Sequence, residues 1–198
     1  MKYRFGLPKK IVFGAAATFL LSFASAQTVS EGIVNLDSHK YAKAKEVFNQ
    51  MIAKSPTAEN YYYLGYSYLS QFEPNFELAK ENFDKGLAID SKSYLNKIGL
   101  ATIKLGKGQK ASAIAELTQV AKESKEKDAE VLYRIGEALT MFENNNDPAL
   151  AITYINKAIE KAQKYGVPAY YYYTLGDAYR LTSMKGETYN KFINEYLY

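Results

Sequence analysis

The sequence contains no cysteine and no tryptophan, and its 198 residues include one histidine, His39. Without cysteine the chain has no disulfide, no thiolate metal ligand, no thiol nucleophile and no residue for a lipid anchor after an export signal. A catalytic histidine or an HExxH-type zinc site would have to use His39, which lies in the polar stretch LDSHKY without such a motif. We therefore predict that the chain is not an enzyme and uses no metal and no cofactor.

Long apolar runs are also scarce. The longest, IVFGAAATFLLSF at residues 11–23, is shorter than the roughly 20 residues that a membrane-spanning helix needs. Basic residues precede it and Ala24-Ser25-Ala26 follows it, which is the layout of a cleaved export signal and not of an uncleaved anchor. We predict a signal peptide at residues 1–26, cleaved after Ala26. A domain at 27–198 would then act in the periplasm or outside the cell, without stable membrane insertion.

The chain lacks an excess of charge once this segment is removed. It has 25 basic and 21 acidic residues, and the four basic residues of the signal, Lys2, Arg4, Lys9 and Lys10, account for the difference. A neutral domain has no net positive charge to displace the counterions of a nucleic acid. We therefore expect no nucleic-acid partner.

Glycine and alanine recur in a fixed pattern. Glycines separated by 33 to 40 residues each stand in a helical pattern with apolar residues on one face: Gly32, Gly65, Gly99, Gly136 and Gly176. A second helical pattern follows each of the first four and carries an alanine with a bulky apolar residue four positions later: Ala44, Ala79, Ala113 and Ala151. Small residues on both helices allow a close approach, and each helix pair buries its apolar face by stacking onto the next pair.

The clearest copy, Tyr61-x-x-Leu64-Gly65-x-x-Tyr68 with Ala79 and Phe83, resembles the tetratricopeptide repeat (TPR), a helix-turn-helix unit of 34 residues. The resemblance implies an all-α, right-handed α-solenoid of about five TPR-like repeats. Their approximate bounds are 27–57, 58–91, 92–127, 128–167 and 168–198. Asp147-Pro148 is typical of an N-cap followed by the first residue of a helix. The packing positions of the repeat fall on Tyr61, Tyr68, Tyr172 and Tyr179.

The resemblance also implies a function and a site. TPR solenoids act as non-catalytic scaffolds or adaptors that bind a protein or peptide on the concave face, which first-helix residues line. The candidates here are mostly aromatic and acidic, which favours a basic or amide-rich ligand: Tyr62, Tyr66, Asn96, Tyr133, Glu137, Tyr170, Tyr173, Asp177 and Arg180. We do not expect a clamp for a partner's C-terminal carboxylate, because Asn96 is the only good match to one.

One alternative to peptide binding stays open at this point. The same groove could bind glycans, with Tyr62, Tyr66, Tyr133 and Tyr173 as stacking platforms for sugar rings.

The C-terminal end of the array is also apolar. The chain ends after Tyr189, Phe192 and Tyr196 without a polar capping helix. Such an end is typical of a self-associating edge, a partner site or an array cut short.

Overall fold

The computed structural model describes residues 29–184, and every regular element in this range is helical. The predicted signal peptide, and the part of the fifth predicted repeat after Met184, lie outside the described residues. No helix in this range has both the length and the apolar composition of a membrane span. The α-helices are α1 (29–37), α2 (Tyr41–Lys54), α3 (Ala58–Leu69), α4 (Phe76–Ile89), α5 (Tyr94–Gly106), α6 (Lys110–Glu123), α7 (Ala129–Met141), α8 (Pro148–Ala162) and α9 (Ala169–Met184).

Short polar residues start several of these helices by capping backbone N–H groups that have no partner inside the helix. The Thr57 hydroxyl accepts a hydrogen bond from the Asn60 amide at 3.1 Å at the start of α3. The Asp147 carboxylate accepts one from the Leu150 amide at 3.1 Å, and Pro148 is the first residue of α8. The capping role predicted for Asp147-Pro148 is confirmed.

Consecutive helices pack as hairpins, and the hairpins stack. From α3 onward each first helix contacts the first helix of the next hairpin, so that α3, α5, α7 and α9 form one inner layer. The second helices α4, α6 and α8 pack against the first helices on either side of them along the chain. The prediction of an all-α solenoid built from helix pairs is confirmed.

The repeated glycines lie where a helix meets the bulky residue of its neighbour. A methyl group at Gly65 would come within 2.6 Å of the Phe83 ring, and one at Gly99 within 2.5 Å of the same ring. Phe83 of α4 therefore fits between two consecutive first helices. Gly32 has the same relation to Phe48, and Gly136 to Ile155. The repeated alanines are fully buried at the same interfaces: Ala44, Ala79, Ala113 and Ala151.

The packing tyrosines were predicted in part at the wrong positions. Tyr172 is 50% exposed, whereas its neighbour Tyr171 is buried. The reason is that α9 turns Tyr171, Leu175 and Ala178 toward α7 and α8, which leaves Tyr172 outside this stripe. In α3 the deeply buried rings are likewise those of Tyr62 and Tyr63, while Tyr61 and Tyr68 are only half-buried.

Candidate functional site

One cavity of about 780 Å³ opens on the inner layer, between the α1–α2 turn and helices α3, α7 and α9. Buried Leu36, Tyr133 and Leu181 form its floor, and exposed Asp37 and Tyr173 stand at its rim. Of the nine residues predicted for the concave face, seven line this cavity: Tyr66, Tyr133, Glu137, Tyr170, Tyr173, Asp177 and Arg180.

Two predicted residues do not line it. Tyr62 is 1% exposed because its ring packs against those of Tyr63 and Phe83, with centroids 5.2 and 5.9 Å away. Asn96 is fully buried, and its amide donates to the Ala58 carbonyl at 2.8 Å, so it ties α5 to the start of α3. Neither side chain is open to a ligand, and Asn96 cannot serve a carboxylate clamp.

Three tyrosines of α7 and α9 form one packed aromatic group. The rings of Tyr133 and Tyr171 stack with centroids 4.3 Å apart and an angle of 4° between their planes. The Tyr170 ring meets both edge-on, at 5.0 Å from Tyr133 and 5.1 Å from Tyr171. Stacked and edge-on pairs are the favoured arrangements of aromatic rings. Tyr170 completes the group on the side that faces the cavity.

Arg134 is a buried cation behind the packed rings of these tyrosines. Its guanidinium donates from Nε to Glu130 at 2.7 Å and from an Nη to Glu137 at 2.8 Å. Burial alone would lower the pKa of Arg134, but Glu137, Tyr62 and Glu130 raise it, and the net pKa lies above the ordinary arginine value. The guanidinium therefore stays charged and is paired with two carboxylates. Tyrosine ring centroids surround its central carbon at 5.2–6.0 Å: Tyr62, Tyr63, Tyr66 and Tyr133.

Tyrosine hydroxyls complete the hydrogen bonding of the two carboxylates. Tyr133 donates to Glu137 at 3.0 Å, and its hydroxyl also lies 3.0 Å from the Thr174 hydroxyl of α9. The hydroxyls of Tyr170 and Tyr171 lie 3.4 and 3.3 Å from Glu130. Both carboxylates thus form ion pairs with Arg134 and accept hydrogen bonds from tyrosine hydroxyls. The network joins α7 to α9 and fixes the rings that line the cavity.

Asp37 is the charged residue that the α1–α2 side brings to this cavity. Desolvation raises the pKa of its carboxyl group, Arg134 lowers it, and Glu137 and Glu130 raise it further. Burial and the charge of Glu130 raise the pKa of Tyr170 to about 12, and Asp37 adds to this shift. Asp37, the last residue of α1, lines the same cavity as residues of α7 and α9.

The chemistry that the cavity can supply follows from the side chains that line it. Within residues 29–184 no three histidine or acidic side chains are grouped to hold a metal ion. His39, the residue that a catalytic or zinc motif would need, contacts the Tyr41 hydroxyl through Nδ1 at 2.7 Å. The cavity offers aromatic surface, hydroxyl groups and carboxylates, together with the imidazole of His39 and the guanidinium group of Arg180.

Three residues of this region were not predicted from the sequence: Arg134, Tyr171 and Asp37. Arg134 had a signal, because Glu130 and Glu137 stand four residues before it and three after it, where helix side chains meet. Tyr171 could have been found from its spacing of four residues to Leu175 on one helix face. Asp37 gave no signal, since its position at the site depends on how the hairpins curve.

The known proteins similar to this chain are found among solved structures. No protein-family model matches the sequence, and no curated protein matches it. Solved structures similar to the chain include TPR proteins, the family that the sequence resembles. YrrB, described as a TPR protein with an unusual peptide-binding site, is 16% identical with a TM-score of 0.41; the match covers 86% of this chain and 87% of YrrB.

Two further structures are similar to a comparable degree. PilF of Pseudomonas aeruginosa is 16% identical with a TM-score of 0.49, and the match covers 87% of this chain and 81% of PilF. MamA of Desulfovibrio magneticus RS-1 is 17% identical with a TM-score of 0.43, and the match covers 86% and 93% of the two chains. The fold assignment rests on the stacked helix pairs of the chain itself.

Proposed function

We propose that the chain is a non-catalytic scaffold or adaptor that binds a segment of another protein in the cavity of its inner layer. The observation that carries this proposal is the convergence of Tyr66, Tyr170 and Tyr173 with Glu137 and Asp177 around one open cavity. Aromatic side chains give a large contact area at a low cost in conformational entropy, which suits the recognition of peptides.

The size of the cavity supports a short ligand. Sites for small ligands have volumes of roughly 300–1,000 Å³, and this cavity has about 780 Å³. A few residues of a partner fill such a space, whereas a folded domain does not enter it. We infer that the partner contributes a short segment or a chain end.

The glycan alternative has weaker support. Sugar stacking needs ring faces that are open to solvent, and Tyr62 and Tyr133 are 1% and 2% exposed. Tyr66 and Tyr173 remain as platforms, and they also suit a peptide. We therefore favour a protein partner.

Site-specific photocrosslinking tests this proposal. A photoreactive phenylalanine analogue replaces Tyr173 at the rim in one variant and Phe72 in the control, since Phe72 is 99% exposed and lies outside the cavity. We expect position 173 to crosslink one defined segment of a partner, mapped by mass spectrometry, and position 72 not to do so. Equal crosslinking at both positions, or capture of glycans alone, would contradict the proposal.

We further propose that the protein is exported, with residues 1–26 removed. The support is the basic start, the apolar run and the small residues Ala24 and Ala26. Cell fractionation followed by intact mass measurement should find a chain that begins at Gln27 outside the cytoplasm. A full-length chain in the cytoplasm would contradict this.

A further inference from the structure

The cavity carries more negative than positive charge. Among its described lining residues one has a guanidinium group, Arg180, which pairs with Asp177 at 3.1 Å. The lining carboxylates are those of Asp37, Glu137, Glu143 and Asp177. Arg134 lies behind the tyrosine rings that line the cavity, and it already forms ion pairs with Glu130 and Glu137. The fixed charges of the site therefore favour a positively charged ligand.

Two lining carboxylates, Asp37 and Glu143, have no ion pair among residues 29–184, and of the two Asp37 acts electrostatically on Tyr170. Both oxygens of Glu137 accept hydrogen bonds, from Tyr133 and Arg134. By contrast, no side chain among residues 29–184 lies within ion-pair distance of the Asp37 carboxylate, although Arg134 and His39 act on it from farther away. Although Asp37 stands at the rim, desolvation by the surrounding atoms raises the pKa of its carboxyl group and so disfavours the ionised form. A bound cation would remove that penalty.

The walls beside Asp37 are aromatic. Tyr66, Tyr170 and Tyr173 line the same cavity, and cations bind over tyrosine faces within about 6 Å of the ring centre. The protein already uses this combination internally, because Arg134 lies among tyrosine rings with two carboxylates as partners. The open cavity presents the same chemistry to a ligand.

We propose that this cavity recognises an arginine side chain of the partner segment, with Asp37 as its ion partner and the tyrosine rings as its walls. This inference rests on the proposed function and names the chemistry of the ligand. Arginine fits better than lysine because a planar guanidinium can stack on a ring while it donates two hydrogen bonds to one carboxylate.

Selection from a library of random 12-residue peptides tests the inference, with protein purified from cells that express the full sequence. We expect the retained peptides to share an arginine. A labelled peptide from the selection is then titrated by fluorescence anisotropy against the wild type, Asp37→Asn and the control Asp84→Asn. Asp84 is an exposed carboxylate of α4, away from the cavity, and it pairs with Lys80.

We expect the loss of affinity to depend on the pair formed by Asp37 and the arginine of the peptide. Asp37→Asn weakens binding about tenfold, as does replacing the arginine of the peptide by glutamine, and the two changes together cost little more than either alone. Asp84→Asn leaves the affinity unchanged. Circular dichroism and the denaturation midpoint establish that each variant is folded.

Three results would overturn the inference in distinguishable ways. Retained peptides without arginine or lysine would contradict the cation site and leave the scaffold proposal standing. Equal weakening by Asp37→Asn and Asp84→Asn would show that only the overall charge of the protein matters. A library from which no peptide is retained would contradict the scaffold proposal itself.

Discussion

The guanidinium carbon of Arg134 lies 5.2 Å from the centroid of the Tyr133 ring. The same carbon lies 5.4 Å from the centroid of the Tyr66 ring, so that one side chain of α7 contacts tyrosine rings of both α3 and α7. Because Tyr66 and Tyr133 both line the cavity, the shape of the proposed site depends on this buried cation.

Removing Arg134 should destabilise the protein strongly. Arg134→Met leaves Glu130 and Glu137 with negative charges that lack their partner, and breaking a buried pair in this way costs about 3–5 kcal/mol. Glu130 is partly exposed, so we expect about 3 kcal/mol, at the lower end. The free energy of unfolding from urea titration measures this cost.

Lys80→Met is the matched control. Lys80 pairs with Asp84 at 2.6 Å within one helix, and both side chains are about half exposed. Exposed pairs contribute about 0.2–1 kcal/mol. If Arg134→Met lowers the free energy of unfolding by no more than Lys80→Met does, Arg134 does not hold the tyrosines of α3 and α7 together.

Gly65→Ala should destabilise the chain although alanine is the better helix former. The usual gain in a helix is about 1 kcal/mol, whereas overpacking a core costs about 1–3 kcal/mol. The new methyl group would lie 2.6 Å from the fully buried Phe83 ring, so we expect overpacking to dominate. The same substitution in a Phe83→Leu background should cost less. A stabilised Gly65→Ala variant would contradict the packing described for the repeats.

Tyr133→Phe should cost about 1–2 kcal/mol, because Glu137 and Thr174 lose a buried hydrogen-bond partner. Tyr173→Phe is the control, since this side chain is 76% exposed. Thermal unfolding measures both variants. Equal effects of the two substitutions would show that the hydroxyl of Tyr133 does not join α7 to α9.

Alkaline pH should unfold the protein in a step linked to tyrosine ionisation. Burial raises the pKa of Tyr62 and Tyr66 well above the ordinary value, and burial together with Glu130 raises that of Tyr170 to about 12. A tyrosine whose pKa is higher in the folded than in the unfolded protein stabilises the fold at pH values below its pKa in the unfolded protein, which is about 10. This stability is lost as the pH rises through the pKa that the tyrosine has in the folded protein. Absorbance at alkaline pH should therefore show part of the tyrosines ionising together with the loss of helix. Complete ionisation of a fully helical protein would contradict this.

Affinity for an arginine peptide should fall as the pH is lowered. The groups that act on Asp37 are Arg134, Glu137, Glu130 and His39, and desolvation is the largest cause of its raised pKa. Protonation of Asp37 removes the ion partner of the peptide, so binding weakens as the pH falls through this raised pKa. An equally steep pH dependence in Asp37→Asn would contradict the role of Asp37.

The effect of Asp37 on the stability of the free protein has the opposite sign. A carboxyl group with a raised pKa lowers the free energy of unfolding once it is ionised, so Asp37→Asn should slightly stabilise the fold at neutral pH.

The sequence predicted the fold well because its pattern is local and repeated. Gly65 with Phe83 and Gly136 with Ile155 occur at similar separations along the chain, and each pair reports the same helix contact. Side-chain direction was harder to predict. Tyr62 and Tyr66 are one helical turn apart, yet the first is buried against Phe83 and only the second reaches the cavity.

The site could be predicted where the first helices of the repeats supply it. Tyr66, Glu137 and Asp177 stand one residue after the repeated glycines of α3, α7 and α9, and all three line the cavity. Asp37 reaches the same cavity from α1, through the curvature of the stacked hairpins. Curvature results from small rotations between neighbouring repeats, which no single motif encodes.

The decisive experiment for the arginine site is a crystal structure of the protein bound to a selected arginine peptide. We expect the guanidinium group to lie inside the inner-layer cavity, within hydrogen-bond distance of the Asp37 carboxylate and against the Tyr170 or Tyr173 ring. A peptide bound to the outer helices α4, α6 and α8, or an arginine that points into solvent, would contradict it.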